Sequence, residues 1–242
     1  MHVDIGNALS ETATDGVSRE DLARLDDRVG EAADRIDAGR DAGERGYVAL
    51  DLPERTDPAP IEAAVETVAD AETLLTIGIG GSSLGAATIT GALGGDRRTR
   101  FLDNVDPAHT RSVLDALDLG STALNVVSRS GATVETLSNF LVVRAAMTEA
   151  GVDWTERTVV TTGDAGPLRR MADEHDLPVL SVTEGVPGRF SALSPVGLFA
   201  AAFQGADIDA ILEGGRRAAA GLADSLFDSP AYAYGATMYA LG

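Results

Sequence analysis

Leu22, Leu25, Val29, Ala32, Ala33 and Ile36 recur at three- and four-residue intervals among charged neighbours, which predicts an amphipathic helix over 18–38. Ser18 followed by Asp21 supplies its start signal. Around Pro53, Pro58 and Pro60 the pattern breaks into a turn-rich stretch that reads as a boundary. Beyond it, helical spacing and short apolar runs alternate. A helix is predicted over 60–71, then a strand over 73–79 ("TLLTIGI") and a helix over 83–93. A strand over 99–103, a helix over 107–117, a strand over 122–128 ("TALNVVS") and a helix over 133–150 continue the series. It closes with a strand over 157–162, a helix over 165–175 and a strand over 178–182. After residue 185 the pattern is helical alone, over 194–203, 207–223 and 229–241.

Short apolar strands separated by helices of about ten residues or more predict an α/β fold, a doubly wound, mainly parallel sheet with helices on both faces. In such sheets ligands sit at the carboxyl ends of the strands. The last stretch, "PAYAYGATMYALG", carries no charge and holds Tyr232, Tyr234 and Tyr239 at helical spacing. A chain end of ordinary kind frays into polar residues, so the sequence is expected to be a fragment of a longer protein.

Composition narrows the class. The 242 residues suffice for one large domain or two modest ones, and aromatics are only 5%. Cysteine is absent, which excludes disulfides and thiolate chemistry and is compatible with a reducing cytoplasm. No run of about 18 apolar residues predicts a membrane span, and the first twenty residues are too polar and acidic for a signal peptide. Asp and Glu number 38 against 19 bases, a net charge of −19, and every base is arginine. An acidic, lysine-free surface suits a high-salt cytoplasm, where the Debye length falls to about 3 Å at 1 M and self-repulsion is screened. A merely acidic mesophilic protein is the alternative. Either way the chain lacks the basic footprint that nucleic acid requires.

Two glycine- and hydroxyl-rich loops fall at predicted strand ends. The first is "IGIGGSSLGA", 77–86, with Gly78, Gly80, Gly81, Ser82 and Ser83 between a strand and a helix. Glycines admit close approach of a ligand to the backbone, and the helix start offers unpaired N–H groups and about half a positive charge, together an anion site. The same loop, with Asp103 about twenty residues on, allows a dinucleotide reading, although Ser83 stands where that fingerprint needs glycine. A structural tight turn is the third reading. The second loop, "VSRSGATVET", 127–136, supplies hydroxyls from Ser128, Ser130 and Thr133, freedom at Gly131 and charge from Arg129. One hydroxyl makes an N-cap; three within six residues, with an arginine, suit a phosphate dianion through charge-assisted hydrogen bonds. A third segment, "VPGRFSALSPVGLFAAA", 186–202, sets Gly188 and Arg189 before an apolar helix. Arg189 there reaches a sugar hydroxyl or a phosphate, or is simply solvated.

At these three places the sequence resembles the phosphoglucose isomerase family, with its sugar-isomerase (SIS) fold. "GIGGSSLG" resembles that family's first phosphate loop, "SRSGATVET" its second, written S-K-[ST]-x-T-T-x-E-T, and "GRFSALSPVG" its G-G-R-[YF]-S signature. "FLDNVDP", 101–107, matches a further stretch between the first two, and the resemblance runs over about residues 60–242. It implies that Gly81 and Ser82 line a sugar-phosphate pocket, that Ser128, Arg129, Ser130 and Thr133 bind the phosphate, and that Gly188 and Arg189 face the sugar. Arg189 would stabilise an enediolate. Glu135 matches a family glutamate with an orienting role, or else complements the dipole of its helix. Arg129 replaces the usual lysine, Ala132 a threonine and Pro187 the first glycine of the third motif.

The implied activity is aldose–ketose isomerisation of glucose 6-phosphate and fructose 6-phosphate through a cis-enediol, in glycolysis and gluconeogenesis, with no metal and no cofactor. A glutamate base and a ring-opening histidine belong to later parts of the family chain. His2, His109 and His175 match no motif, so no catalytic base is assigned here and the chain alone is expected to be inactive or nearly so. The domains expected are an N-terminal helical extension over 1–57, an SIS-type sugar-phosphate-binding domain over 58–204, and the truncated helical start of a second over 205–242. A cytoplasmic homodimer is expected of the full-length protein. Two rivals stay open: a non-catalytic sugar-phosphate-sensing SIS module, and an NAD-dependent oxidoreductase resting on the first glycine loop and Asp103.

Overall fold

A computed structural model describes residues 3–242, so His2 lies outside the described residues. In chain order its elements are α1 (Arg19–Asp41), α2 (Leu52–Arg55), α3 (Pro58–Glu66), β1 (Thr73–Ile77), α4 (Leu84–Leu93), β2 (Arg98–Leu102) and α5 (Pro107–Asp115). There follow β3 (Thr122–Ser128), α6 (Val134–Glu149), β4 (Thr158–Thr162), α7 (Pro167–Glu174) and β5 (Val179–Ser181). Three helices, α8 (Pro195–Phe203), α9 (Ile208–Ala220) and α10 (Pro230–Leu241), end the chain. Two compact units result, Leu52–Leu212 and the residues up to Asp51 together with Glu213–Gly242.

The larger unit is built on one five-stranded parallel sheet of order β2-β1-β3-β4-β5. Every residue of β1, β3 and β4 is buried, which is why these strands read as apolar runs rather than as alternations. Successive side chains leave a strand on opposite faces. Leu74, Ala123, Val159 and Leu180 therefore join one core with Ile61 of α3, Ala86 of α4 and Phe199 and Phe203 of α8. Leu75, Ile77, Leu124, Val126 and Val160 join another with Phe140 and Met147 of α6 and Leu168 of α7. The outer strand β2 differs: Arg98 and Arg100 are exposed, and charge on a sheet edge discourages pairing with another chain.

The sheet order makes a switch point. The chain leaves β1 for β2 on one side, then returns past it to place β3 on the other. Ligands bind such sheets at that crevice. Two expectations need correction at their ends. The helix expected over 60–71 stops at Glu66, because the chain then turns, with Val68 N–H donating to Val65 O (3.1 Å). The stretch around Pro53, read as a turn, holds α2, since proline is tolerated in a first helical turn.

The smaller unit packs Leu9, Val17, Leu22, Leu226 and Ala236 into its own core, with Leu25, Val29 and Tyr232 against it. The carboxylate of Asp26 accepts from Ser225 Oγ (2.9 Å) and Leu226 N–H (2.8 Å), which fastens the segment before α10 to α1. Among the described residues no helix is long and apolar enough to cross a membrane.

Candidate anion-binding site

The switch point lies between the tips of β1 and β3. Beyond β1, Gly78 N–H still donates to Leu102 O (3.3 Å), and the chain then makes a 3-10 turn over Gly80–Ser82, with Gly80 at φ +58°. Ser83 is buried and its Oγ donates to Gly80 O (3.1 Å), so its hydroxyl closes the turn. Beyond β3, Ser128 is buried, and its Oγ lies 2.9 Å from Thr133 Oγ1. Gly131, at φ +63°, reverses the loop, its N–H donating to Ser128 O (3.0 Å). Ala132 N–H donates to Ser130 Oγ (3.2 Å). Arg129 and Ser130 are exposed.

Helix capping separates this corner from the rest of the unit. The N-termini of α3, α5 and α8 are closed by side-chain acceptors on Asp57, Asp106 and Ser194. In α4 and α6 the cap residues, Ser83 and Thr133, accept from no first-turn N–H. Thr133 spends its hydroxyl on Ser128 instead, so the ordinary N-cap reading of that residue does not hold. The start of α7, at Gly166, also lacks a side-chain cap, but there Leu168 N–H donates to Gly131 O (2.9 Å); the starts that follow β1 and β3 have no such partner among the described residues. Each presents unpaired N–H groups and positive partial charge, beside the hydroxyls of Ser128, Ser130 and Thr133.

The third segment comes to the same place. Gly188–Phe190 form a 3-10 turn that lies against the turn at Gly81. A Cβ on Gly81 would stand 2.6 Å from Gly188 O and 2.7 Å from Arg189 N. Ser82, Arg129, Val186, Gly188 and Ser191 border one small cavity. Arg129 Nη1 reaches to 3.5 Å from Val186 O, and Arg189 lies over the ring of Phe190, 4.7 Å from its centroid. Pro187 sits at φ −64°, ψ 147° and its carbonyl accepts from Phe190 N–H (2.9 Å), so the turn forms without the glycine. Glu135 is exposed in the first turn of α6 and makes no ion pair among the described residues.

Other residues stay away from this cluster. His109 is exposed on α5, where its own N–H donates to Asp106 Oδ1 (2.7 Å). His175 caps the end of α7, with its ring edge-on to Trp154. Asp103 is exposed on the loop after β2. Among the described residues no group of three or more His, Asp or Glu is placed to hold a metal ion. One set of contacts was not foreseen. The turn after β4 touches Ser128, Arg129, Ser130 and Gly131 of the second loop, and the only local sign of it is the pair of glycines in "TGDAGP", 162–167.

A family model described as phosphoglucose isomerase matches residues 62–231 of the chain. The chain belongs to the phosphoglucose isomerase family. All three site segments lie within the match. A protein of Haloarcula marismortui named "Probable glucose-6-phosphate isomerase" is 61% identical over the whole chain, which covers 56% of that protein. The crystal structure of a hypothetical protein from Thermus thermophilus is similar with a TM-score of 0.72 and 39% identity, over 84% of this chain and 50% of that one. That of a glucose-6-phosphate isomerase from Chlamydia trachomatis gives 0.69 and 26%, over 84% and 46%. The chain thus spans about half the length of each of these three proteins.

Proposed function

We propose that this chain is the phosphate-binding half of a glucose-6-phosphate isomerase, which interconverts glucose 6-phosphate and fructose 6-phosphate through a cis-enediol. The observation that carries the reading is the meeting of two uncapped helix starts and three hydroxyls at one switch point, with the Gly188–Arg189 turn against the first of them. Oriented N–H groups, hydroxyls and an arginine bind an anion at contact range, where salt screens poorly. In this reading Ser128, Arg129, Ser130 and Thr133 hold the phosphate, Gly81 and Ser82 line the pocket, and Gly188 and Arg189 face the sugar, with Glu135 in a supporting role. The reading asks for no metal and no cofactor, and places the proton-transferring groups outside this chain. We further propose that the whole protein is a cytoplasmic homodimer acting in glycolysis and gluconeogenesis, and that residues 205–242 begin its second domain.

Calorimetric titration tests the site. The 242-residue chain takes up fructose 6-phosphate saturably and unphosphorylated fructose not at all. Arg129→Met weakens the phosphate ester about tenfold or more, the scale of one charge-assisted hydrogen bond. Equal response to the two sugars overturns the reading, and so does NADH binding that fructose 6-phosphate fails to displace. Isomerase turnover by the chain at the rate of an intact relative removes the claim that it is half of a site.

A further inference from the structure

The second loop does not stand alone. Ser128 O accepts from Thr162 Oγ1 (2.7 Å), inside the protein, and Gly131 O accepts from Leu168 N–H (2.9 Å) in the first turn of α7. Arg129 O lies 3.0 Å from where a Cβ on Gly163 would be, and Ser130 O lies 2.6 Å from the corresponding point on Gly166. Four consecutive carbonyls of the hydroxyl loop therefore face one short segment, Thr162 to Leu168. Gly131 is packed in turn against Ala165 O and Thr162 Oγ1, at 2.7 and 3.1 Å from its missing Cβ.

A carbonyl oxygen carries partial negative charge, and one aimed at a dianion opposes binding. Fixing donors toward an anion requires fixing the opposite ends of the same peptides away from it. We propose that the turn between β4 and α7 is a carbonyl sink that gives the hydroxyl loop its selectivity for anions, with Thr162 as the positioning residue. Thr162 does not reach the ligand. Its hydroxyl draws the Ser128 carbonyl into the protein, and the N-terminus of α7 draws in that of Gly131. The N–H groups of Gly131 and Ala132 are given to Ser128 O and Ser130 Oγ within the loop, so those of Arg129 and Ser130 are what remain for a phosphate. Ser130 O occupies the space a side chain on Gly166 would take, at a φ of +103° that itself favours glycine, and Arg129 O crowds the same point on Gly163.

The inference rests on the anion-site reading above, and its test separates the two. Thr162→Val keeps the shape and removes the donor; Thr162→Ser keeps the donor. Titrated with fructose 6-phosphate and with inorganic phosphate, Thr162→Val binds both about fivefold more weakly than the wild-type chain, and Thr162→Ser stays within about twofold. A merely structural role lowers the urea midpoint of Thr162→Val and leaves both affinities unchanged. Should Thr162→Val fail to melt cooperatively, hydrogen exchange on the wild-type chain decides: saturating phosphate slows exchange at the Leu168 amide. Unchanged affinity in Thr162→Val, equal loss in Thr162→Ser, or unaltered exchange at Leu168 overturns the sink while leaving the anion site in place. A wild-type chain that binds neither compound overturns both.

Discussion

At residue 81 a hydrogen atom on Cα decides whether two turns touch. Backbone atoms lie on both sides of the gap between Gly81 and Gly188, so nothing there can rotate aside. Gly81→Ala is expected to cost about 2 kcal/mol, the ordinary penalty for overpacking, and to abolish uptake of fructose 6-phosphate. Gly91, inside α4 with no atom within 4 Å of its missing Cβ, is the control: Gly91→Ala is expected to stabilise by about 0.5–1 kcal/mol with binding unchanged. Urea denaturation and calorimetry on the two variants check the contrast. The glycine-rich sequence shows that something approaches closely at 77–86. It does not show that the approaching chain is the 188 turn, since that contact joins segments over a hundred residues apart. For the same reason Thr162 is unreadable in advance: one threonine at a strand end looks like any other until β4 is seen beside β3.

At the level of elements, capping separates helices that only pack from those that border the site. Asp106→Ala removes the N-cap of α5 and is expected to lower stability by about 1 kcal/mol while sugar-phosphate affinity holds. Thr133→Val, which removes the partner of Ser128 rather than a cap, is expected to act mainly on affinity, by about tenfold. Urea midpoints set beside binding constants distinguish the two outcomes. Hydrophobic periodicity locates the five strands and the longer helices well, because each central strand is buried on both faces and each helix keeps a core side. It misplaces the end of α3, where Val68 and Ala71 are buried from a turn and so imitate helical spacing. Strand order is not written in the apolar pattern. Only the exposed arginines of β2 hint at it, by marking an edge.

Taken whole, the chain carries −19 with arginine as its only base. Many arginines are already engaged locally, as Arg40 is with Asp51 (2.8 Å) and Arg157 with Asp70 (2.9 Å), so the surplus acid repels itself across the surface. Raising KCl from about 0.1 M to about 2 M shortens the Debye length from about 10 Å to a few Å. The thermal midpoint is expected to rise, by about 2–4 °C for each kcal/mol of repulsion relieved. The rise shrinks when exposed acids of α1 are changed to amides, and differential scanning calorimetry across the salt series follows both. This property is legible from composition alone, being a sum over residues rather than an arrangement of them. The anion cradle is the opposite kind of property. Its two halves belong to strands that become neighbours only after the chain has gone out to β2 and come back, with Thr73 brought level with Thr122. A growing polypeptide that has emerged only as far as β2 already displays the first glycine loop, yet holds only one half of the proposed sugar-phosphate site. On the proposed function, recognition begins when β3 slots in beside β1, so the ligand would report on completed topology and be blind to the separate parts.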